Sequence, residues 1–199
     1  MMWWRITLVV ALAAAALLFQ GGCILSPRSP DGPPEGDQTD WETPIDTDTV
    51  LRNIRTALAG ESINNYRDSF TEDYRFHVDP QDSLDAGEEG EERYANWTRE
   101  DEVFAANGMF TDAASISVTF SNVEAPQEEL DETFRKEDYT LTVAWQSGPH
   151  VNEEIVYRGR ATLWMRREAG RWAIFRWVDR RGDPPINDTW GVLRGEYRG

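Results

Sequence analysis

The stretch Glu154–Asp179 constrains this chain more than any other. It reads Glu-Ile-Val-Tyr-Arg-Gly-Arg-Ala-Thr-Leu-Trp-Met-Arg-Arg, then Glu-Ala-Gly, then Arg-Trp-Ala-Ile-Phe-Arg-Trp-Val-Asp. Two runs rich in β-branched and aromatic residues flank a short segment closed by Gly170, which predicts a β-hairpin. The first run is long enough to be the spine of a sheet.

The register of the hairpin decides which side chains look inward. A three-residue loop, Glu168–Gly170, sets Arg158 opposite Arg180. A four-residue loop, Arg167–Gly170, sets Arg158 opposite Asp179 and Arg160 opposite Trp177. Opposite charges across a ladder stabilise and like charges destabilise, by roughly 0.2–1 kcal/mol per pair. An Arg over an indole adds a cation–π attraction. These pairings favour the longer loop. One face then carries Tyr157, Gly159, Ala161, Leu163, Met165, Trp172, Ile174 and Val178, with Arg176 its only charge. The other carries Arg158, Arg160, Trp164, Phe175, Trp177 and Asp179.

The chain has 199 residues, room for one domain and a leader. Its net charge of −16 argues against a nucleic-acid partner. Nine Trp and 12% aromatic content supply a core and exclude disorder of the whole chain.

The N-terminus reads as a targeting signal over residues 1–22. Arg5 precedes the apolar run Ile6–Phe19, which is short of the roughly 20 residues of a permanent membrane span. Gly21-Gly22-Cys23 follows and resembles the lipobox of bacterial lipoproteins, with Gln20 departing from the usual aliphatic. The resemblance implies lipidation of Cys23 and anchoring in the envelope. Ile24 stands where an inner-membrane retention signal has Asp, so the outer membrane, periplasmic side, is the expected address. Cys23 is the sole cysteine, so no intrachain disulfide exists. Ordinary signal-peptidase cleavage, with Cys23 incidental, is the competing reading. Residues 23–44, rich in Pro, Gly, Asp and Ser, read as a flexible tether.

The domain is expected over 45–182. Val50, Leu51, Ile54 and Leu58 recur at helical spacing up to Gly60, and Ser62 can cap a second helix bearing Ile63, Tyr66 and Phe70. Tyr74, Phe76 and Val78 alternate as a strand that Pro80 stops. Gln81–Glu92 reads as a mobile acidic loop. Thr98-Arg-Glu-Asp101 opens a helix expected to end at Asn107-Gly108. Ile116, Val118 and Phe120 mark a strand, Asn122–Asp138 an acidic connection, and Tyr139, Leu141, Val143 and Trp145 the next strand. Residues 183–199 read as a C-terminal extension.

Helices first and antiparallel strands last make an α+β fold, one curved antiparallel sheet wrapped over N-terminal helices. The run Tyr66-Arg-Asp-Ser-Phe70-Thr-Glu-Asp-Tyr74, with the late strand Gly170-Arg-Trp172-Ala-Ile174, resembles the nuclear transport factor 2-like superfamily. Ketosteroid isomerase and polyketide cyclase relatives belong there. Trp177-Val-Asp179 and Thr189-Trp190-Gly191 resemble uncharacterised bacterial lipoproteins of that superfamily. The resemblance implies a cone enclosing a pocket, and a homodimer formed through the sheet. Enzymes of the superfamily place Asp, His or Tyr in the pocket for proton transfer.

Individual residues give little chemistry. His77 alternates away from the core, and His150 follows Gly148-Pro149 in a turn; neither is assigned as a general base. No spacing suggests a metal site, a phosphate loop or a nucleophile elbow, so no cofactor and no catalytic residue is assigned. Arg176 and Tyr157 are the pocket candidates. A buried Arg176 needs a partner, either a helix carboxylate such as Asp68 or Asp73 or an anionic small ligand. Trp164, Phe175, Trp177 and Arg160 have the composition of an interface core. The competing account covers that face with Trp190 and Val192 of the C-terminal segment.

Two functional readings follow. One is a non-enzymatic envelope lipoprotein that binds a small apolar or anionic ligand, or a protein partner. The other is an isomerase, dehydratase or cyclase, which requires a carboxylate or His beside a Tyr at the pocket floor with a perturbed pKa. The scarcity of inward polar residues favours the first.

Overall fold

The computed structural model describes residues 41–128 and 131–198. The leader, Cys23 and most of the tether lie outside the described residues. Six α-helices and five strands are described: α1 Thr47–Ala59, α2 Ile63–Asp68, β1 Phe70–His77, α3 Pro80–Asp85, α4 Gly90–Tyr94, α5 Arg99–Asp112, β2 Ala113–Glu128, β3 Glu132–Trp145, β4 Glu154–Glu168, β5 Arg171–Arg181 and α6 Trp190–Glu196. They form an α+β fold in which one five-stranded sheet, ordered β1-β5-β4-β3-β2, curves over the helices. β1 runs parallel to β5, and the other pairs are antiparallel. No described helix is long and apolar enough to cross a membrane.

Local chemistry explains the helix ends. Asp46 caps α1 by accepting from the Thr49 amide, at 2.7 Å. Burial of Val50, Leu51, Ile54, Ala57 and Leu58 then seats α1 under the sheet. Thr98 and Asp101 form a reciprocal capping box at the start of α5. That helix continues through Asn107-Gly108 to Asp112, past the expected stop. Gly108 does not end it. A Cβ there would lie 2.5 Å from the Tyr197 ring, so the glycine admits the C-terminal segment against the helix.

Three other expectations are corrected. Gln81–Glu92 is not a loop but α3, a 3-10 turn and the start of α4. Asp82 is buried there and accepts from Arg181 Nε and Thr189 Oγ1, each at 2.5 Å. Asn122–Asp138 is not a connection, because β2 and β3 extend into it. Thr133, Arg135 and Glu137 alternate inward as strand residues do, and their polarity hid the period. Arg135 and Glu137 pair at 2.8 Å, and Arg135 also reaches Asp48 of α1. Residues 41–44 are held by the domain: Asn53 exchanges two hydrogen bonds with Glu42, and Trp172 N–H donates to the Pro44 carbonyl.

The register of the hairpin is the correction with most consequence. The turn is two residues, Ala169-Gly170, both at positive φ, with Glu168 opposite Arg171. Positive φ at both turn positions matches the right-handed twist of the strands. Met165 pairs with Ile174, and then β5 gains one residue before Trp164 pairs with Arg176. This bulge reverses the facing of every later residue in β5. Trp172 and Ile174 face inward as expected. Trp177 now stands inside opposite Leu163, and Asp179 inside opposite Ala161. Arg176 stands outside, its guanidinium 4.7 Å from the centre of the Trp164 ring.

Candidate functional site

Two polar clusters occupy the hollow between sheet and helices. The first centres on Glu102 in the first turn of α5, next to the capping Asp101. Tyr66 O–H of α2 donates to Glu102 Oε1 at 2.6 Å, Trp97 Nε1 to Oε2 at 3.0 Å, and Tyr74 O–H of β1 to Oε2 at 3.3 Å. From the far end of the chain, Arg194 Nε of α6 donates to Oε1 at 2.8 Å. All five side chains are buried. The Arg194 guanidinium lies 4.2 Å from the ring centre of Trp177, 4.5 Å from Phe76 and 4.5 Å from Trp190. Its Nη1 and Nη2 have no hydrogen-bond partner among the described residues, so the aromatic faces are what they meet. Burial alone would ease the proton off Arg194, but Glu102, with Tyr66, Tyr74 and Asp179 adding to it, outweighs burial and holds the guanidinium above its ordinary value. Burial and the same carboxylate drive the Tyr66 and Tyr74 hydroxyls well above theirs.

The second cluster is Asp179 of β5 and Tyr139 of β3. Tyr139 O–H donates to the carboxylate at 2.9 Å, and its oxygen accepts from Trp190 N–H at 2.8 Å. Gly191 N–H donates to Asp179 Oδ2 at 2.7 Å. Desolvation lifts the Asp179 carboxyl to about 7, against the pull of Arg194, Tyr139 and the Gly191 amide. Two glycines make room for the pair. A Cβ on Gly159 would lie 2.5 Å from Tyr139 Oη and 2.6 Å from the Arg180 carbonyl; one on Gly191 would meet Val78 at 2.8 Å.

α6 closes this hollow. Trp190, Leu193 and Arg194 enter it, and the cavity left beside Tyr66, Glu102 and Arg194 is about 10 Å³. That is the lower limit for a single water. A cleft of about 610 Å³ opens elsewhere, at the β1–β5 edge between Trp41, Asp73, Arg166 and Trp172. Of its three arginines, Arg166 is paired with Asp73 and Glu168, and Arg99 with Glu100. None of the residues of the two buried clusters lines that cleft.

No protein-family model matches the chain, and no curated protein sequence matches it. Solved structures do. A candidate scytalone dehydratase from Novosphingobium aromaticivorans is 12% identical, over 67% of this chain and 79% of its own, with a TM-score of 0.53. A conserved protein from Planctomyces limnophilus is 17% identical, over 66% and 89%, also at 0.53. A protein of unknown function from Mycobacterium tuberculosis is 12% identical, over 76% and 93%, again at 0.53. The fold is nuclear transport factor 2-like.

Within this nuclear transport factor 2-like cone, the residues singled out from sequence are dispersed. Tyr157 is buried on the inner face opposite Leu141. Arg176 lies on the outer face instead, over Trp164, and no ion pair joins it to Asp68 or Asp73 among the described residues. Trp164, Phe175 and Arg160 lie on the outer face, but Trp177 is inside against Trp190 and Arg194. The C-terminal segment covers the inner face, not the outer one. His77 is exposed on the outer face, and His150 sits in its turn 3.0 Å from Glu196. Sequence reasoning missed Glu102, Asp179, Tyr139 and Arg194. Glu102 lies one residue past the Thr98–Asp101 helix start, and the four-residue loop places Asp179 on the outer face. Among the described residues, no group of His, Cys, Asp and Glu is placed to hold a metal ion.

Proposed function

We propose that this chain is a non-catalytic domain of the bacterial envelope, lipid-anchored through Cys23, whose closed cone is a rigid scaffold for surface contacts. The observation that carries the reading is Arg194, paired with Glu102 at the centre of the cone where a ligand chamber would lie. A permanent internal cation on α6, wrapped by Phe76, Trp177 and Trp190, leaves no room for a steroid-sized or ring-sized substrate. Anchoring rests on the apolar run Ile6–Phe19 and Gly21-Gly22-Cys23.

Asp179 beside Tyr139 favours a second reading, an isomerase or dehydratase. This pair meets the chemical requirement, a carboxyl lifted to about 7 next to a tyrosine hydroxyl. It fails the requirement of access, because Gly191 and Trp190 donate to it and α6 seals it. Native mass spectrometry of the protein purified from its own host separates the readings. The scaffold reading expects the mass of the polypeptide and its lipid alone. A stoichiometric small molecule that survives delipidation would restore the ligand chamber. Cys23→Ser tests the anchor: the variant should be soluble or unprocessed, and mature membrane-bound Cys23→Ser protein would refute lipidation.

A further inference from the structure

The outer face of the sheet concentrates positive charge in a chain with 36 acidic and 20 basic residues. The register places its side chains on a lattice. One row runs Arg75, Arg176, Trp164, Phe134 across β1, β5, β4 and β3. The next runs His77, Val178, Thr162, Lys136, and the third Arg180, Arg160, Asp138. Rows of this kind are about 7 Å apart and their members about 4.8 Å apart. Arg75 is directly opposite Arg176, and Arg160 directly opposite Arg180. Like charges so placed work against the sheet.

Carboxylates relieve some of the cations on this face: Arg160 pairs with Asp138, Lys136 with Glu124, and Arg166 with Asp73 and Glu168. Arg75, Arg158, Arg176 and Arg180 have no carboxylate partner among the described residues; Arg75 and Arg180 donate only to backbone carbonyls. His77 is held below its ordinary value by partial burial and by Arg176 and Arg180. With almost two acids for each base in the chain, four unpaired guanidiniums on one face are a segregation of charge.

We propose that this outer face docks on anionic phospholipid headgroups, through Arg75, Arg176 and Arg180 on the side of the half-buried Trp164 and Arg158 farther along β4. Charge decides the class of partner. A twofold copy of this chain would set the cluster against itself. The clefts found in the described residues reach this face only at its rim, at Asp73, Arg166, Glu168, Arg171 and Ala173, so it suits a flat surface better than an inserted peptide. Carboxylates on the helical side do not cancel the attraction, since charges more than about 8 Å from the headgroups are screened at physiological salt. Each exposed Arg near an anionic leaflet raises binding roughly fivefold. The inference deepens the tethered-domain reading and rests on it for proximity. On that reading the anchor keeps the domain beside the leaflet, so weak contacts act at high effective concentration.

The test uses the chain from residue 23 onward with Cys23→Ser, so that no acyl chain or leader contributes, and failure of the anchor reading is scored separately by fractionation. This chain keeps every described residue. It is sedimented with phosphatidylglycerol/phosphatidylcholine vesicles and with pure phosphatidylcholine vesicles. Binding should require phosphatidylglycerol and weaken with salt. It should fall at least about tenfold in Arg176→Glu/Arg180→Glu. The same charge change on exposed helix positions, Arg55→Glu/Arg67→Glu, should leave it nearly intact. Equal binding to both vesicles, no binding, or an equal loss in the helix variant overturns the proposal. So does capture by poly-glutamate without vesicle binding, which assigns the face to an acidic protein. A sedimentation-velocity dimer abolished by Arg176→Glu/Arg180→Glu assigns it to a second copy instead.

Discussion

Arg194 donates from the last helix to Glu102 in the first turn of α5, 2.8 Å away. The pair joins the C-terminus to the helix layer and the sheet at once, because Tyr66, Tyr74 and Trp97 share the same carboxylate. Removing one member of a buried ion pair strands the other, which costs about 3–5 kcal/mol. Arg194→Met and Glu102→Gln should each lose stability in that range in urea unfolding. The double variant should lose less than the two added together. Additive losses would show that the two residues act independently.

Trp177 is a core residue by virtue of the β5 bulge. Its ring meets Trp190 edge-on at 5.0 Å and the Arg194 cation at 4.2 Å. Trp177→Ala should cost about 3–5 kcal/mol, as a large truncation in a packed interior does. Arg176→Ala, one position earlier and outside, should change stability by less than about 1 kcal/mol. Denaturant titration of the two variants ranks them directly. The reverse ranking would contradict the bulged register.

Asp179 makes stability depend on pH in a known direction. Its carboxyl titrates near 7 in the fold and near 3.8 when unfolded, because burial disfavours the charge. The stabilisation it lends is full below the unfolded value and is lost as pH rises through about 7. Acidifying from pH 8 to pH 5 should therefore raise the melting temperature of the wild type more than that of Asp179→Asn. Parallel curves for the two proteins would mean that Asp179 stays ionised inside.

Gly159 is required by a side chain on the neighbouring strand. It faces Tyr139, and an added Cβ would press on both Tyr139 Oη and the Arg180 backbone. Gly159→Ala should destabilise by about 1–3 kcal/mol, the range for overpacking. Gly159→Ala in a Tyr139→Phe background should recover part of that loss. Melting curves of the three variants read the coupling.

Asp82 ties α3 to the C-terminal arm. It is buried and accepts from Thr189, the cap of α6, and from Arg181. Asp82→Ala should cost about 1–3 kcal/mol, because the buried Thr189 hydroxyl loses its acceptor while the partly exposed Arg181 keeps Asp85. A near-neutral result in thermal unfolding would return Gln81–Glu92 to the status of a dispensable loop.

The sequence by itself determined the fold class and most of the elements, because local rules suffice there. Helical spacing over Val50–Leu58, the Thr98/Asp101 capping box and the alternation in Tyr139–Trp145 each lie within one element. Trp172 and Ile174 were legible as inward residues because they precede the bulge. Beyond it nothing local distinguishes Arg176-Trp177-Val178-Asp179 from the opposite facing, since both alternations carry one charge and one apolar residue on each side. What settles the facing is α6, whose Trp190 and Arg194 receive Trp177, and whose Gly191 amide receives Asp179. The same distance in sequence hid Glu102, whose partners come from residues 66, 74, 97 and 194. A buried charge is tolerable only when such partners converge, and their convergence is a property of the tertiary structure, not of any stretch of the chain.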